Sequence, residues 1–143
     1  MESEYLQIGD IRVRYLDRGT GQTAILVHGL GGSIESWANN IDALSREVRV
    51  IAIDLPGFGQ SDKPKLNYTI KFYRDFLASF IEQLELRVTL VGSSLRGQIA
   101  AELAIVRPDL VQRLVLISPA GALPTSFKGS PALKRYINVT RAK

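Results

Sequence analysis

Four short, almost unbroken apolar runs decide what this chain can become. They cover residues 24–27, 48–53, 88–91 and a last one that opens at Leu114 and closes at Ile117. Short runs rich in β-branched residues, with no polar alternation, fit strands covered on both faces, as in a parallel sheet. Between them the period changes. Ile34, Trp37, Ile41 and Leu44 recur at helical spacing, as do Tyr73, Phe76, Leu77, Phe80, Ile81 and Leu84, and then Leu95, Ile99, Leu103 and Val106. Thr69 is placed to cap the second helix, Pro108 ends the third, and Trp37, in register with its stripe, is expected in the core. Ahead of the first run, residues 4–8 and 11–16 flank Gly9-Asp10. Ile11, Val13 and Tyr15 would share one face and Arg12 and Arg14 the other, giving a hairpin with one wet face. The predicted order is β-β-β-α-β-α-β-α-β, an α/β fold with a mainly parallel sheet.

Length and composition narrow the chemistry. The 143 residues suit one domain. The absence of cysteine rules out disulfides and thiolate zinc sites, and the single histidine, His28, rules out a histidine-rich metal site. The acidic start, Met1-Glu2-Ser3-Glu4, is no signal peptide, and no apolar run reaches membrane-spanning length, so a cytoplasmic protein without membrane contact is expected. The net charge of +4 is +6 from residues 110–143, which hold Arg113, Lys128, Lys134, Arg135, Arg141 and Lys143 and no acid, against −2 from residues 1–109. With Phe127 and Tyr136 as its aromatics, this segment has no nucleic-acid motif, and a solvated basic end is expected there.

Parallel sheets bind ligands at the carboxyl ends of their strands, and three such ends are unusual. His28-Gly29-Leu30-Gly31-Gly32-Ser33 follows the first run, Asp54-Leu55-Pro56-Gly57-Phe58-Gly59-Gln60-Ser61-Asp62 the second, and Gly92-Ser93-Ser94-Leu95-Arg96-Gly97 the third. A serine between a buried strand and a helix, with glycines close by, has the layout of a nucleophile elbow. The turn holds the hydroxyl clear of the sheet, and the helix N-terminus offers N–H groups to a developing oxyanion. Taken alone, this segment better fits a serine that caps the following helix, and it is the other two strand ends that shift the reading. A dinucleotide site on Gly29-x-Gly31 and Asp54 is the weaker reading, because Ile34 stands where a third glycine belongs and the serine would have no role.

The His28-Gly29-x-Gly loop, the Asp54-Leu-Pro-Gly-Phe-Gly-x-Ser run and the Gly92-x-Ser94 turn resemble, in order and spacing, the motifs of the α/β-hydrolase superfamily. The likeness is to its esterases, C–C bond hydrolases and haloperoxidase-like members. It implies a mostly parallel sheet with helices on both faces, truncated after about the sixth strand. Residues 1–121 would form the core and residues 122–143 a basic segment, either the start of a cap or a disordered tail. By the same resemblance Ser94 is the nucleophile that opens an ester-like bond of a small-molecule substrate, without cofactor or metal. The backbone N–H groups of Leu30 and Leu95 are then the oxyanion donors. His28, Gly29, Asp54, Gly57 and Gly92 are motif residues with structural work: His28 shapes its loop, and Pro56-Gly57 suits the centre of a turn.

Two departures stand against this. The family order is Ser, then acid, then histidine, yet there is no acid after Asp109 and no histidine after His28. An inactive hydrolase is therefore expected, with a non-catalytic binding or interaction module as the alternative. Arg96 replaces the second glycine of Gly-x-Ser-x-Gly. A large side chain at a packed turn costs about 1–3 kcal/mol, so damage to the turn is expected ahead of the other reading, in which Arg96 swings into the pocket to bind an anionic substrate. Finally, the run from Leu114 to Ile117 has no later strand to cover its edge, and such an edge invites self-association or a second polypeptide.

Overall fold

In the computed structural model, which describes residues 2–29, 31–93 and 96–117, antiparallel pairing is confined to one side of a six-stranded sheet. β1 (Glu4–Ile8) and β2 (Ile11–Arg18) form the expected hairpin, with Leu6 opposite Val13. β2 then pairs antiparallel with β4 (Arg49–Ile53). From there the sheet is parallel: β4 with β3 (Thr23–Val27), β3 with β5 (Val88–Ser93), and β5 with β6 (Val111–Ile117). The spatial order is β1-β2-β4-β3-β5-β6. A 3-10 turn (Ile34–Trp37) leads into α1 (Ala38–Ser45); α2 (Ile70–Gln83) and α3 (Arg96–Val106) follow. The α/β fold and its mostly parallel sheet are those expected from the apolar runs.

Alternation along the strands feeds two cores. Ile51, Ile53, Ile25 and Val27 face α2 and α3, where Tyr73, Phe80, Ile99 and Leu103 cover them. Val50, Ala52, Leu26 and Leu16 face the other way, toward Ile34, Trp37 and Ile41. Trp37 is core, as its register suggested. The Thr69 side chain caps α2, accepting the Phe72 N–H at 3.0 Å. Two stripe residues are not core: Leu44 and Val106, each the last of its helical pattern, are exposed.

One expectation fails. Arg14 does not lie on a wet face; it is 3% exposed, and Leu16 beside it is equally covered. The reason is topological. β2 is not the outer strand of the hairpin but an interior strand between β1 and β4, so the face carrying Arg14 and Leu16 is roofed by the segment that enters α1.

The topology also fixes where a site can form. β3 leaves through α1 on one face, while β5 leaves through α3 on the other, and β3 and β5 are neighbours. Adjacent strands whose connections part to opposite faces open a crevice at their carboxyl ends. One of those two ends is followed by His28, and the other closes at Ser93.

Candidate active site

Each strand end at this crevice is held by a different device. At the end of β3, His28 is completely buried. Its Nε2 accepts the Leu55 N–H at 3.1 Å, which leaves Nδ1 protonated to donate to the Gly29 carbonyl at 2.8 Å. Burial lowers its pKa, so it is neutral and both nitrogens are in use. Such a histidine fixes the Gly29 loop and has no lone pair left for a proton. Its ring meets Phe58 edge-on, with centroids 5.2 Å apart.

At the end of β4, Asp54 is also fully buried. Oδ1 accepts the Ile34 N–H at 2.7 Å and Oδ2 the Gln60 N–H at 2.9 Å, with Arg14 Nη1 3.4 Å from Oδ2. The carboxylate thus ties the entry to α1 to its own turn, and no oxygen is turned to a ribose. This removes the dinucleotide reading. Pro56-Gly57 sits at the centre of a turn closed by Phe58 N–H to the Leu55 carbonyl at 3.0 Å, with Gly57 at φ +88°, as expected. Gly59 is more tightly constrained, because a Cβ there would lie 2.2 Å from Asp54 Oδ2.

At the end of β5, strand and helix meet without spare room. A Cβ on Gly92 would come within 2.8 Å of the Arg96 carbonyl oxygen and 2.9 Å of Gly97 Cα. Only glycine fits at position 92 without a shift of the backbone. Arg96, the first residue of α3, is 9% exposed. Its guanidinium carbon stands 5.0 Å from the Phe58 ring centroid and 4.7 Å from that of Tyr73, so the side chain is lodged between two rings. Burial lowers its pKa, with the Tyr73 hydroxyl as a neutral polar neighbour. A cavity of about 310 Å³ opens beside it, walled by Phe58, Tyr68, Ile70, Tyr73 and Ile99. Ser94, Leu95 and Leu30 lie outside the described residues, as does everything after Ile117.

Arg14 reaches this corner from β2. It forms an ion pair with Glu35 in addition to its contact with Asp54. The bonds from Arg14 and from the Ser33 hydroxyl hold the Glu35 carboxyl down at about 2.

This arrangement of strand ends coincides with a known lineage. The model of the alpha/beta hydrolase fold family matches residues 24–139. The chain belongs to that family. It is 37% identical over 124 residues to 2-hydroxy-6-oxo-6-(2'-aminophenyl)hexa-2,4-dienoic acid hydrolase of Metapseudomonas resinovorans, covering 82% of this chain and 42% of the relative. Among solved structures it is similar to a serine hydrolase involved in carbazole degradation, with TM-score 0.75 and 35% identity over 82% of this chain and 48% of that one. A bromoperoxidase from Bacillus anthracis gives TM-score 0.75 and 34% identity over 80% and 44%. The chain spans less than half the length of these relatives. Among the described residues, no helix is long and apolar enough to cross a membrane.

Sequence reasoning missed Arg14, Glu35, Phe58 and Tyr73. Arg14 carried a signal, since a cation two residues before Leu16 on a strand that leads into the sheet needs a buried partner. Tyr73 carried none, for its place in the α2 stripe marks it equally well as core.

Proposed function

We propose that this chain carries the nucleophile of a hydrolase, Ser94, which attacks an ester-like or related bond of a small molecule. The Ser94 hydroxyl would add to the carbonyl while the backbone N–H groups of Leu30 and Leu95 stabilise the oxyanion. Its proton must pass to a base as the leaving group departs, and water then releases the acyl group. The observation that carries this reading is the pairing of β3 with β5 at the point where their connections part. The crowding at Gly92 and the family membership support it.

Proton transfer is the weak link. His28 is the chain's one histidine and both its nitrogens are engaged. Losing a triad partner typically costs about 10⁴–10⁶ in kcat, while oxyanion hole and binding alone leave about 10³–10⁴ over water. The 143-residue chain should therefore turn over p-nitrophenyl acetate close to the rate of Ser94→Ala. Adding imidazole as an external base should raise the unmodified chain above that control and leave an acetyl group on Ser94 detectable by mass spectrometry. An imidazole response equal in both proteins, with no acetyl on Ser94, would reject Ser94 as nucleophile and leave a non-catalytic binding module, which the engaged His28 also favours.

A further inference from the structure

Arg96 is a buried cation without an anion. All 14 Asp and Glu residues of the chain lie among the described residues, and none pairs with it. Its Nε is buried and has no hydrogen-bond partner. What surrounds it is aromatic: Phe58 on one side and Tyr73 on the other. Two rings offset part of the lost hydration of a guanidinium, and the Tyr73 hydroxyl takes up one of its donors, but the buried Nε–H is left without a partner. A buried charge in that condition is costly unless something of opposite sign completes it. The cavity beside it, about 310 Å³, is at the small end of the ligand-pocket range, and beyond the two rings it is lined by Gly57, Tyr68, Ile70, Ile99 and the polar Gln98. A mostly apolar hollow ending in a guanidinium that has no carboxylate partner and an unpaired Nε–H selects for a molecule with an apolar body and one anionic group.

We infer that this cavity is a binding site for small organic carboxylates, with the carboxylate on the Arg96 guanidinium and the apolar part against Ile70, Ile99 and the rings. The planar fork of arginine matches a carboxylate with two parallel hydrogen bonds, a match that ammonium or a neutral amide lacks. Arg96 also explains its own place in the sequence. The position two residues after Ser94 holds glycine in the elbow pattern, and a side chain there can leave the turn toward the space between α2 and α3. That the bound carboxylate belongs to the substrate rests on the Ser94 reading; the binding site itself does not.

Isothermal titration of the 143-residue chain with benzoate and with benzamide, which match in shape and differ in charge, tests the site directly. Benzoate should bind at least about tenfold more tightly than benzamide. Arg96→Met should abolish that preference, and Arg96→Lys, which keeps the charge but not the fork, should retain part of it. Equal affinities in the unmodified chain, or no binding of benzoate, would overturn the site without recourse to any variant. So would an undiminished preference in Arg96→Met. Ser94→Ala should bind benzoate as the unmodified chain does, so failure of the catalytic reading leaves this result standing. Acylation of Ser94 without any carboxylate preference would sink the binding site alone.

Discussion

Two arginines among the described residues are buried, and they are buried in opposite ways. Arg14 is 3% exposed and stands between the carboxylates of Asp54 and Glu35. Arg96 is 9% exposed and stands between the rings of Phe58 and Tyr73. The first joins β2, the turn after β4 and the entry to α1, so its charge is spent on holding three chain segments together. The second meets no carboxylate, only the faces of two rings. A cation whose partners are internal is part of the frame, whereas one whose partner is missing has its bonding capacity left for a ligand. The distance along the crevice is short, since Phe58 touches both His28 and Arg96, yet the two ends have different chemistry.

Removing each charge should expose the difference. Arg14→Met leaves Asp54 buried with its backbone donors but no cation, and breaking a buried pair in this way costs about 3–5 kcal/mol. The two N–H bonds retained by Asp54 put the expected loss near about 3 kcal/mol in urea denaturation. Arg96→Met loses two cation–π contacts worth about 0.5–2 kcal/mol together but also relieves a buried charge, so a net change within about 1 kcal/mol is expected. Equal losses for the two substitutions would mean that both arginines belong to the frame.

The fold was legible because it rests on runs and periods, while the contrast between the arginines was not. Residues 24–27 and 88–91 announce interior strands by having no polar face, and Thr69 announces a helix start by its hydroxyl. Arg14 misled because alternation reports only that two faces differ; whether the polar face meets water or a carboxylate depends on β4 pairing with β2 across 35 or so residues. His28 shows the same limit at the site. Its family role as a loop former was expected, but its tautomer follows from Leu55, which lies 27 positions away in sequence. Burial lowers its pKa most; the bond to the Gly29 carbonyl opposes this, and the lesser effects of Arg96 and Asp54 lower and raise it in turn. A histidine depressed in the folded state stabilises fully above its unfolded pKa near 6.5, and that contribution drains away as pH falls below it toward the folded value. Stability should thus decline below pH 6.5 with a slope of up to about 1.4 kcal/mol per pH unit from this group. His28→Asn should flatten that part of the curve, and an unchanged slope would show that His28 protonates in place.

The smallest effect separates the two partners of Arg14. Asp54 is sealed from water, but the Glu35 side chain is 52% exposed. Its carboxyl is nevertheless held at about 2, first by the bond from Arg14 and then by that from Ser33. A carboxyl depressed in the folded state contributes stability that is complete above its usual value near 4.5 and is lost as pH falls through the folded value of about 2. Because half the side chain meets solvent, screening keeps the contribution below about 1 kcal/mol. Glu35→Gln should therefore be slightly less stable than the unmodified chain at pH 6, and the gap should narrow steadily below pH 4.5. A gap that stayed constant into strong acid would mean that Glu35 acts through packing rather than charge. Arg14 would then be a cation with one true partner, closer in kind to Arg96 than its two carboxylates suggest.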